Sequence, residues 1–372
     1  MKQMLVALIL CVVGSVSARG EIVTTFWDGP MLFQVLSEEE GTAALIAPTV
    51  ESMNAEYLQG MTRITVPSTV TDSSTGLRYQ VVTIRGDVFS PLRASVEEVV
   101  IPDGVKEVYG FNKMPNLKSV ILPNSVEKMG IFCGLTALKE LDFPENLKEI
   151  TMMSFTPNSL ERIVLPAGVK RLEYYAFSGG LETTEIEIPG VEVIGEHALG
   201  GMPELKKIVF PACLRWIDWE AVRYNNLEEI RFESDGKAAE CSLYYNCLTS
   251  RPKAVYCARP LPPVINHYEL FVSDGGENRE KVCYSLIFGG FAHMQNVKLY
   301  VPVGYGEVYR QHRFWGAMQV LEYDFDAGVA ISVADVKDDV TPLYDLLGRN
   351  VAQVDSAPPG IYVRAGRKHL VR

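Results

Sequence analysis

The sequence predicts a β-rich solenoid, in which short parallel strands from successive turns of the chain stack side by side. Three observations lead to this fold class. One short phrase returns every 21–23 residues, each copy contains a proline at the same place, and apolar residues occupy the same positions in each copy. A fixed period of this length is typical of solenoids, because one turn cannot bury its apolar side chains until a neighbour stacks on it.

The repeated phrase is clearest in "LKSVILPNSVEKM", residues 117–129, and in "LERIVLPAGVKRL", residues 160–172. Alignment on the proline gives steps of 21, 21, 22, 23 and 22 residues. The aligned residues are Pro102, Pro123, Pro144, Pro166, Pro189 and Pro211. Proline lacks an N–H and therefore ends the pairing of a strand, so we expect a corner of the coil at each of these positions.

Ahead of each proline, apolar residues occupy the first, fourth and sixth positions of the phrase, and the last two alternate as in a strand. An apolar pair follows the proline, and then a residue that we expect to plug the core. The plug residues are Phe111, Phe132, Phe155, Phe177 and Leu199. Each repeat is therefore predicted to form one turn, with a strand, a proline corner and a return segment that all point apolar side chains inward.

The composition excludes a disordered chain and argues against two kinds of partner. The 372 residues are 47% hydrophobic and 22% charged, enough for a large core. The formal net charge of -11 repels polyanions at long range, so nucleic acid and anionic membranes are not expected partners. A basic or neutral macromolecule fits better.

The N-terminus has the pattern of a secretory signal. In "MKQMLVALILCVVGSVSARG", Lys2 precedes an apolar run, and small residues at 16–18 mark a cleavage site. We expect a signal peptide at 1–18, a mature chain from Arg19, and export to the medium or the outer cell surface. The apolar run is shorter than the ~20 residues of a membrane-spanning helix, and no later stretch approaches that length, so no transmembrane segment is predicted.

The cysteines outside the signal permit disulfides in an exported protein, although spacing alone leaves their connectivity open. Cys133 and Cys213 each stand alone in a repeat, and we expect both to be small buried residues. Cys241 and Cys247 are close together outside the regular repeats, which makes them the favoured pair among the possible disulfides.

The phrase "LxxVxLPxxVxxI" followed by a phenylalanine resembles the BspA-type leucine-rich repeat of secreted and surface proteins of Bacteroidota. The resemblance extends over about residues 60–323. It implies a hairpin before a strand at 79–84, a final strand at 297–301 and a short helix from about Gly304. Two departures are a shortened repeat at Val191 and the loss of the phrase at 234–250, where the register is open.

The end of the chain, "LYDLLGRNVAQVDSAPPGIYVRAGRKHLVR", resembles C-terminal tails of exported Bacteroidota proteins, which implies a type IX sorting or attachment module. Its short strands and turns predict a small β module. The segments expected along the chain are a signal peptide (1–18), an N-terminal β cap (19–60), the leucine-rich repeat solenoid with its first hairpin and exit segment (61–323), a linker (324–340) and the C-terminal β tail (341–372).

No catalytic, cofactor-binding or metal-binding motif is present, so the sequence predicts a protein that is not an enzyme and has no cofactor. The five histidines lie far apart, and none belongs to a ligand pair. A dyad of Cys257 and His267 is disfavoured, because neither residue has the local sequence of a known cysteine nucleophile. The acidic, glycine-containing loop at 273–280 lacks calcium-ligand spacing and is interpreted as a solvated turn.

The second, third and fifth positions of each phrase are predicted to face away from the core and to stack into ladders about 4.8 Å apart. Charges in the first two ladders alternate enough to neutralise one another, which is typical of a solvated face. The third ladder contains aliphatic residues, which either reflect β propensity or form a stripe for binding a protein. The candidate partner-binding residues are Val100, Ile121, Val164, Val209, Lys118, Lys139, Arg162 and Lys207.

The function expected from the resemblance is a secreted or cell-surface, non-enzymatic binding or adhesion protein. Its partner would be an extracellular protein of host or bacterial origin. The alternative is a glycan-binding accessory module of a polysaccharide-utilising system, with Trp216, Trp219 and Tyr224 as the stacking platform. Against this alternative, large aromatic side chains more often fill the core and corners of a fold.

Overall fold

The chain divides into two compact units, Met1–Glu182 and Thr183–Arg372, which are considered separately below. The computed structural model describes residues 15–16, 22–29, 31–46, 60–236, 240–244, 246–266, 288, 291–330, 343–345, 350–351, 360–364 and 367–371. The predicted signal peptide, residues 1–18, lies almost wholly outside these ranges. We call a strand that precedes the proline of a repeat a front strand, and a strand that follows it a back strand.

The front strands of the first unit pair in parallel, as predicted. Three of them form one sheet in the order 119–121, 98–100, 63–65. Glu98 lies opposite Ser119, and Val100 lies opposite Ile121, which is the register that the proline alignment predicts. The front strands are Arg63–Thr65, Glu98–Val100, Ser119–Ile121 and Arg162–Val164.

One predicted front strand is missing, which corrects the expectation of an unbroken ladder. Residues 138–143 form no strand, although Leu141 is buried at its predicted inward position. The N–H of Glu161 still donates to the carbonyl of Lys139 at 2.9 Å, so the next repeat stays in register. Asp142 occupies the position that is aliphatic in neighbouring repeats, and aspartate has low β propensity.

The return segments also form strands, which the sequence pattern did not indicate. In the first unit they build a parallel back sheet, with Glu107 opposite Lys128 and Lys128 opposite Glu149. The back strands of this sheet are Arg78–Arg85, Glu107–Tyr109, Lys128–Gly130 and Glu149–Ile150, and Arg171–Leu172 is a further back strand outside it. Where both strands form, a turn of this unit therefore contributes one strand on each side of the core.

The N-terminal cap continues the same back sheet. Thr42–Ile46 pairs in parallel with Arg78–Arg85, and Thr25–Asp28, Met31–Ser37 and Thr42–Ile46 form an antiparallel meander. The predicted hairpin is present, since Thr69–Thr71 pairs antiparallel with Arg78–Arg85. The remaining elements of this unit are strands Ser15–Val16 and Ile22–Val23 and a 3-10 turn at Ser90–Leu92. The meander covers an edge of the repeat sheet that would otherwise offer unpaired backbone groups.

A row of phenylalanines forms the centre of the first unit. Adjacent ring centroids are 4.6–5.1 Å apart, and all five side chains are buried. The rings are Phe89, Phe111, Phe132, Phe155 and Phe177. Four of these are predicted plug residues, so the plug position of each repeat is occupied by a ring that packs on its neighbour's ring.

The second unit repeats the two-sheet design. Lys207–Phe210 pairs in parallel with Glu229–Phe232, and Val193–Ile194 pairs with Trp216–Ile217. The front strands are Glu185–Glu187, Lys207–Phe210, Glu229–Phe232, Ala254–Cys257, Lys298–Pro302 and Gln319–Asp324, followed by the short antiparallel strand Val329–Ala330. The back strands are Val193–Ile194, Trp216–Ile217, Ser242–Tyr244 and Val264–Asn266.

The stretch at 234–250, where the sequence left the register open, contains a back strand, Ser242–Tyr244. Ser242–Tyr244 pairs in parallel with Trp216–Ile217, so the repeat resumes after a longer connection through 233–241. The predicted exit segment is also found, one or two residues from its expected bounds, as the strand Lys298–Pro302 and the helix Gly306–Gln311. The strand expected to be the final one is not the last, because Gln319–Asp324 follows and pairs with it in parallel. A one-turn helix, Phe291–Met294, and a 3-10 turn, Trp315–Ala317, flank them.

The C-terminal tail is a small antiparallel sheet, as predicted. Its four strands follow the order 350–351, 343–345, 360–364, 367–371. They are Leu343–Asp345, Asn350–Val351, Gly360–Arg364 and Arg367–Val371. In the part of the chain that the structure describes, no helix has both the length and the apolarity to cross a membrane.

The cysteines depart from expectation in two ways. Cys241 and Cys247 are both free and buried, so the favoured disulfide is not formed. Cys133 and Cys213, which we expected to be buried, are only half-buried. Each thiol lies within hydrogen-bond distance of a backbone carbonyl, as Sγ of Cys133 does with the carbonyl of Met153 at 2.9 Å. Cys283 lies outside the described residues.

Candidate binding surfaces

The outward side of the front strands in the first unit carries an exposed aliphatic stripe. Alternation along each strand buries Val99, Val120 and Ile163 and turns the intervening side chains to solvent. Ile121 is 48% exposed and Val164 is 36% exposed, whereas Val100, which pairs with Ile121, is half-buried. The exposed part of the stripe therefore lies at Ile121 and Val164.

The lysines beside this stripe are held by acidic neighbours. The Nζ of Lys118 lies 2.9 Å from Oε2 of Glu97, one repeat earlier, and Lys139 forms an ion pair with Glu182. Exposed pairs of this kind contribute about 0–1 kcal/mol, so they do little for stability. Arg162 is exposed on the same face. The charged ladders in this unit thus flank the aliphatic stripe with side chains that partly neutralise each other.

The two remaining predicted residues, Lys207 and Val209, belong to the second unit. Lys207 Nζ lies 3.1 Å from Oε1 of Glu229, and Arg231 Nε donates to the same oxygen at 2.6 Å. Partial burial alone would raise the pKa of Glu229, but these two charge-assisted hydrogen bonds outweigh it and lower the pKa. Val209 is half-buried opposite Arg231, so it presents less apolar surface than Ile121.

A second candidate surface was not identified from the sequence. Tyr256 and Tyr300 lie opposite each other on adjacent front strands of the second unit, and their rings stack at 4.5 Å with planes 12° apart. Tyr323 meets both rings edge-on at 5.4 Å. On the far side, the Arg231 guanidinium lies 4.2 Å from the centroid of Tyr256. We call Arg231, Tyr256, Tyr300 and Tyr323 the tyrosine column.

A cleft of about 370 Å³ adjoins this column where the front strands end. Tyr323 belongs to both features, and its ring meets that of Phe325 at 4.9 Å and 70°. The cleft is lined by Ser234, Gly236, Ala258, Pro260, Pro302, Val303, Tyr305, Tyr323, Asp324, Phe325 and Asp326. The sequence did contain a signal for the tyrosine column. Each of the segments "AVYC", "LYVP" and "LEYD" has a tyrosine at a position that strand alternation directs outward.

The three aromatics of the glycan alternative contact three different neighbours. Trp216 is half-buried against the ring of Tyr244 at 5.4 Å, and the ring of Trp219 meets His197 at 5.3 Å. Tyr224 is 66% exposed under the Arg223 guanidinium. Trp216, on a back strand, and Trp219 are both half-buried against a neighbouring ring, and Tyr224 is the most exposed of the three aromatic residues.

The thiol of the disfavoured dyad is buried. Cys257 is fully enclosed, its Sγ lies 3.1 Å from the hydroxyl of Tyr309, and burial raises the pKa of the thiol. A nucleophile needs an accessible thiolate, which this environment disfavours. His267 and the loop at 273–280 lie outside the described residues. Among the residues that are described, no three metal-ligating side chains cluster.

Comparison with known proteins gives related folds at low identity. No curated protein matches the chain significantly. A leucine-rich cell surface protein from Faecalibacterium prausnitzii A2-165 matches with 19% identity, 81% of this chain, 73% of that chain and a TM-score of 0.49. A leucine-rich repeat protein from Bacteroides ovatus ATCC 8483 matches with 19% identity, 74% of this chain, 70% of that chain and a TM-score of 0.46.

A match to a family model shows the family to which the chain belongs. The model of the BspA type leucine rich repeat region, with six copies, matches residues 56–182 and 130–251, which together span more than half of the chain. These residues contain the aligned prolines, the plug residues and the front and back strands from Arg63–Thr65 to Ser242–Tyr244. The chain therefore belongs to the BspA-type leucine-rich repeat family.

Proposed function

We propose that the protein is an exported, non-enzymatic binding or adhesion protein that presents the front face of its first unit to an extracellular protein. The single observation that carries the proposal is that Ile121 and Val164 are exposed on the outward side of two front strands, on either side of the repeat that contains Asp142. Exposed aliphatic side chains rimmed by charges are a common composition of protein-binding surfaces.

The charges around the stripe favour specificity over affinity. Lys118 and Lys139 are partly neutralised by Glu97 and Glu182, so we expect them to affect association rate and salt dependence more than the strength of the complex. Binding energy is expected to concentrate in the few central residues that become fully desolvated. In this unit those are Ile121 and Val164.

We further propose that residues 1–18 direct export and that the tail at 341–372 serves sorting or attachment to the cell surface. The support is the signal-like pattern at the N-terminus, the sequence resemblance of the tail, and the separate antiparallel sheet that its strands form. The partner would then be a host or bacterial macromolecule met outside the cell.

The test is a binding panel read with matched variants. The mature chain, residues 19–372, would be immobilised and exposed to a set of purified extracellular matrix proteins and, in parallel, to a glycan array. The double variant Ile121→Lys, Val164→Lys should lose binding to whichever matrix protein the parent binds. Leu77→Lys is the control, because Leu77 is 47% exposed on the hairpin of the same unit.

Two results would overturn this proposal. Matrix proteins bound equally by the parent and the double variant would exclude the front face as the site. Capture of glycans alone, lost when Trp216 or Trp219 becomes alanine in a protein that still folds, would support the glycan-binding alternative instead.

A further inference from the structure

The cleft in the second unit combines aromatic walls with carboxylates. The rings of Tyr323 and Phe325 meet at 70°, so they form two sides of a corner, and Tyr305, which is 40% exposed, also lines the space. Pro260 and Pro302 add apolar surface. A volume of about 370 Å³ lies at the lower end of the range for sites that enclose a small ligand or a side chain.

The carboxylates are held at the cleft by the turn that carries them. Oδ1 of Asp324 accepts hydrogen bonds from the backbone N–H of Asp326 at 3.0 Å and of Ala327 at 2.8 Å. This turn keeps Asp326, whose side chain is exposed, in the lining of the cleft beside Phe325. The Asp324 carboxylate is therefore fixed by the local fold, and the backbone of Asp326 is held so that this residue lines the cleft.

Ring faces and carboxylates together favour a cation. The face of an aromatic ring is electron-rich, and a nearby carboxylate adds a full negative charge. The tyrosine column already contains one such contact, since the Arg231 guanidinium stacks on Tyr256 at 4.2 Å. The formal net charge of -11 works in the same direction by attracting a basic partner over longer distances.

We propose that this cleft is a binding site for an arginine side chain of a basic partner polypeptide. The guanidinium would stack on the ring of Tyr323 or Phe325 and pair with Asp324 and Asp326, as planar guanidinium groups do with aromatic faces and carboxylates. A neutral sugar donates hydroxyl hydrogen bonds to carboxylates but carries no positive charge, so a guanidinium gains a charge–charge attraction in this cleft that a sugar lacks. The site is separate from the front face of the first unit and does not depend on the function proposed for that face.

The experiment uses the mature full-length chain and a peptide pair that differs only in charge. Hexa-arginine, acetylated and amidated, would be titrated by calorimetry against hexa-citrulline, which keeps the planar urea group and loses the charge. We expect the citrulline peptide to bind at least about tenfold more weakly, and Phe325→Leu and Asp326→Asn each to weaken hexa-arginine by roughly three- to tenfold.

Controls separate the site from general attraction to an acidic protein. Glu204→Gln removes an exposed carboxylate of the same unit that does not line the cleft, and it should leave hexa-arginine binding within about twofold of the parent. Ile121→Lys with Val164→Lys should also leave it unchanged. The proposal is overturned if hexa-citrulline binds as well as hexa-arginine, or if Glu204→Gln weakens binding as much as Asp326→Asn. Maltohexaose binding that Phe325→Leu abolishes would also overturn it, in favour of a sugar site.

Discussion

Phe155 and Phe177 stack with their ring centroids 4.8 Å apart and their planes within 6° of parallel, although they belong to different repeats. Phe143 meets both rings edge-on at 5.5 and 6.0 Å. The plug position is therefore where one turn of the coil contacts the next through side chains. Because each repeat is stabilised by its interface with the next, loss of one ring should also destabilise the adjacent repeats.

Phe155→Ala should destabilise the first unit by about 3–5 kcal/mol, because it removes a fully buried ring and leaves a cavity between Phe132 and Phe177. Thermal unfolding followed by circular dichroism measures the effect. Phe155→Leu, which keeps most of the volume, should cost less than half as much. Equal losses for the two variants would contradict the importance of the stacked rings.

Leu141→Asp should unfold the first unit, since it places an unpaired charge at a buried position. Glu140→Ala, at the exposed neighbouring position, should change the free energy of unfolding by less than about 0.5 kcal/mol. Urea titration of both variants gives the comparison. Similar midpoints would show that the inward and outward positions of this strandless segment are wrongly assigned.

Glu220→Ala should destabilise the second unit by roughly 2 kcal/mol. The Glu220 carboxylate is buried, accepts a hydrogen bond from Nδ2 of buried Asn246 at 2.8 Å and pairs with Arg223, so its removal leaves a polar donor enclosed. Differential scanning calorimetry tests this. Glu196→Gln is the matched control, because both carboxylates lie 3.6 Å from a ring nitrogen of His197, Glu220 from Nδ1 and Glu196 from Nε2, but Glu196 is more exposed. If Glu196→Gln destabilised the unit as much as Glu220→Ala, burial of Glu220 would not explain the effect.

The double variant Ile121→Lys, Val164→Lys should weaken binding to a protein partner by about 2 kcal/mol or more, because central desolvated residues carry most of the energy of an interface. Each change should alter the free energy of unfolding by no more than about 0.5 kcal/mol, since both side chains are exposed. Surface plasmon resonance measures the change in affinity, and thermal melting measures the change in stability. In the same assay, Lys118→Glu should act mainly on the association rate and its dependence on salt.

Buried thiols should resist alkylation until the protein unfolds. Burial raises the pKa of Cys241 to about 11 and also raises those of Cys247 and Cys257, so at pH 8 all three remain protonated and enclosed. Peptide mass spectrometry after iodoacetamide treatment should find them modified only in denaturant, and Cys213 modified earlier. If Cys241 and Cys247 stay unmodified in denaturant without reductant, a disulfide joins them after all.

The amino-acid sequence by itself determined the repeat and the two sides of its front strands. The proline steps, the inward positions such as Val120 and Ile163, and the plug position of Phe155 all follow from local spacing, because a side chain's direction along a strand depends only on alternation. The hairpin, the strand at 298–302 and the exit helix were expected from resemblance to a known family and lie close to the expected bounds, whereas the further strand Gln319–Asp324 was not expected.

Only the tertiary structure decided the features that depend on residues far apart in the chain. Tyr256 and Tyr300 are opposite each other because the connection between their strands, whatever its length, returns the chain to the same sheet. Cys241 precedes the back strand Ser242–Tyr244 and Cys247 follows it, and both thiols are buried and free, which their close spacing in the sequence did not reveal. Local spacing sets which way a side chain points; which distant side chain it meets depends on how the intervening chain folds back, and that is a property of the packed structure.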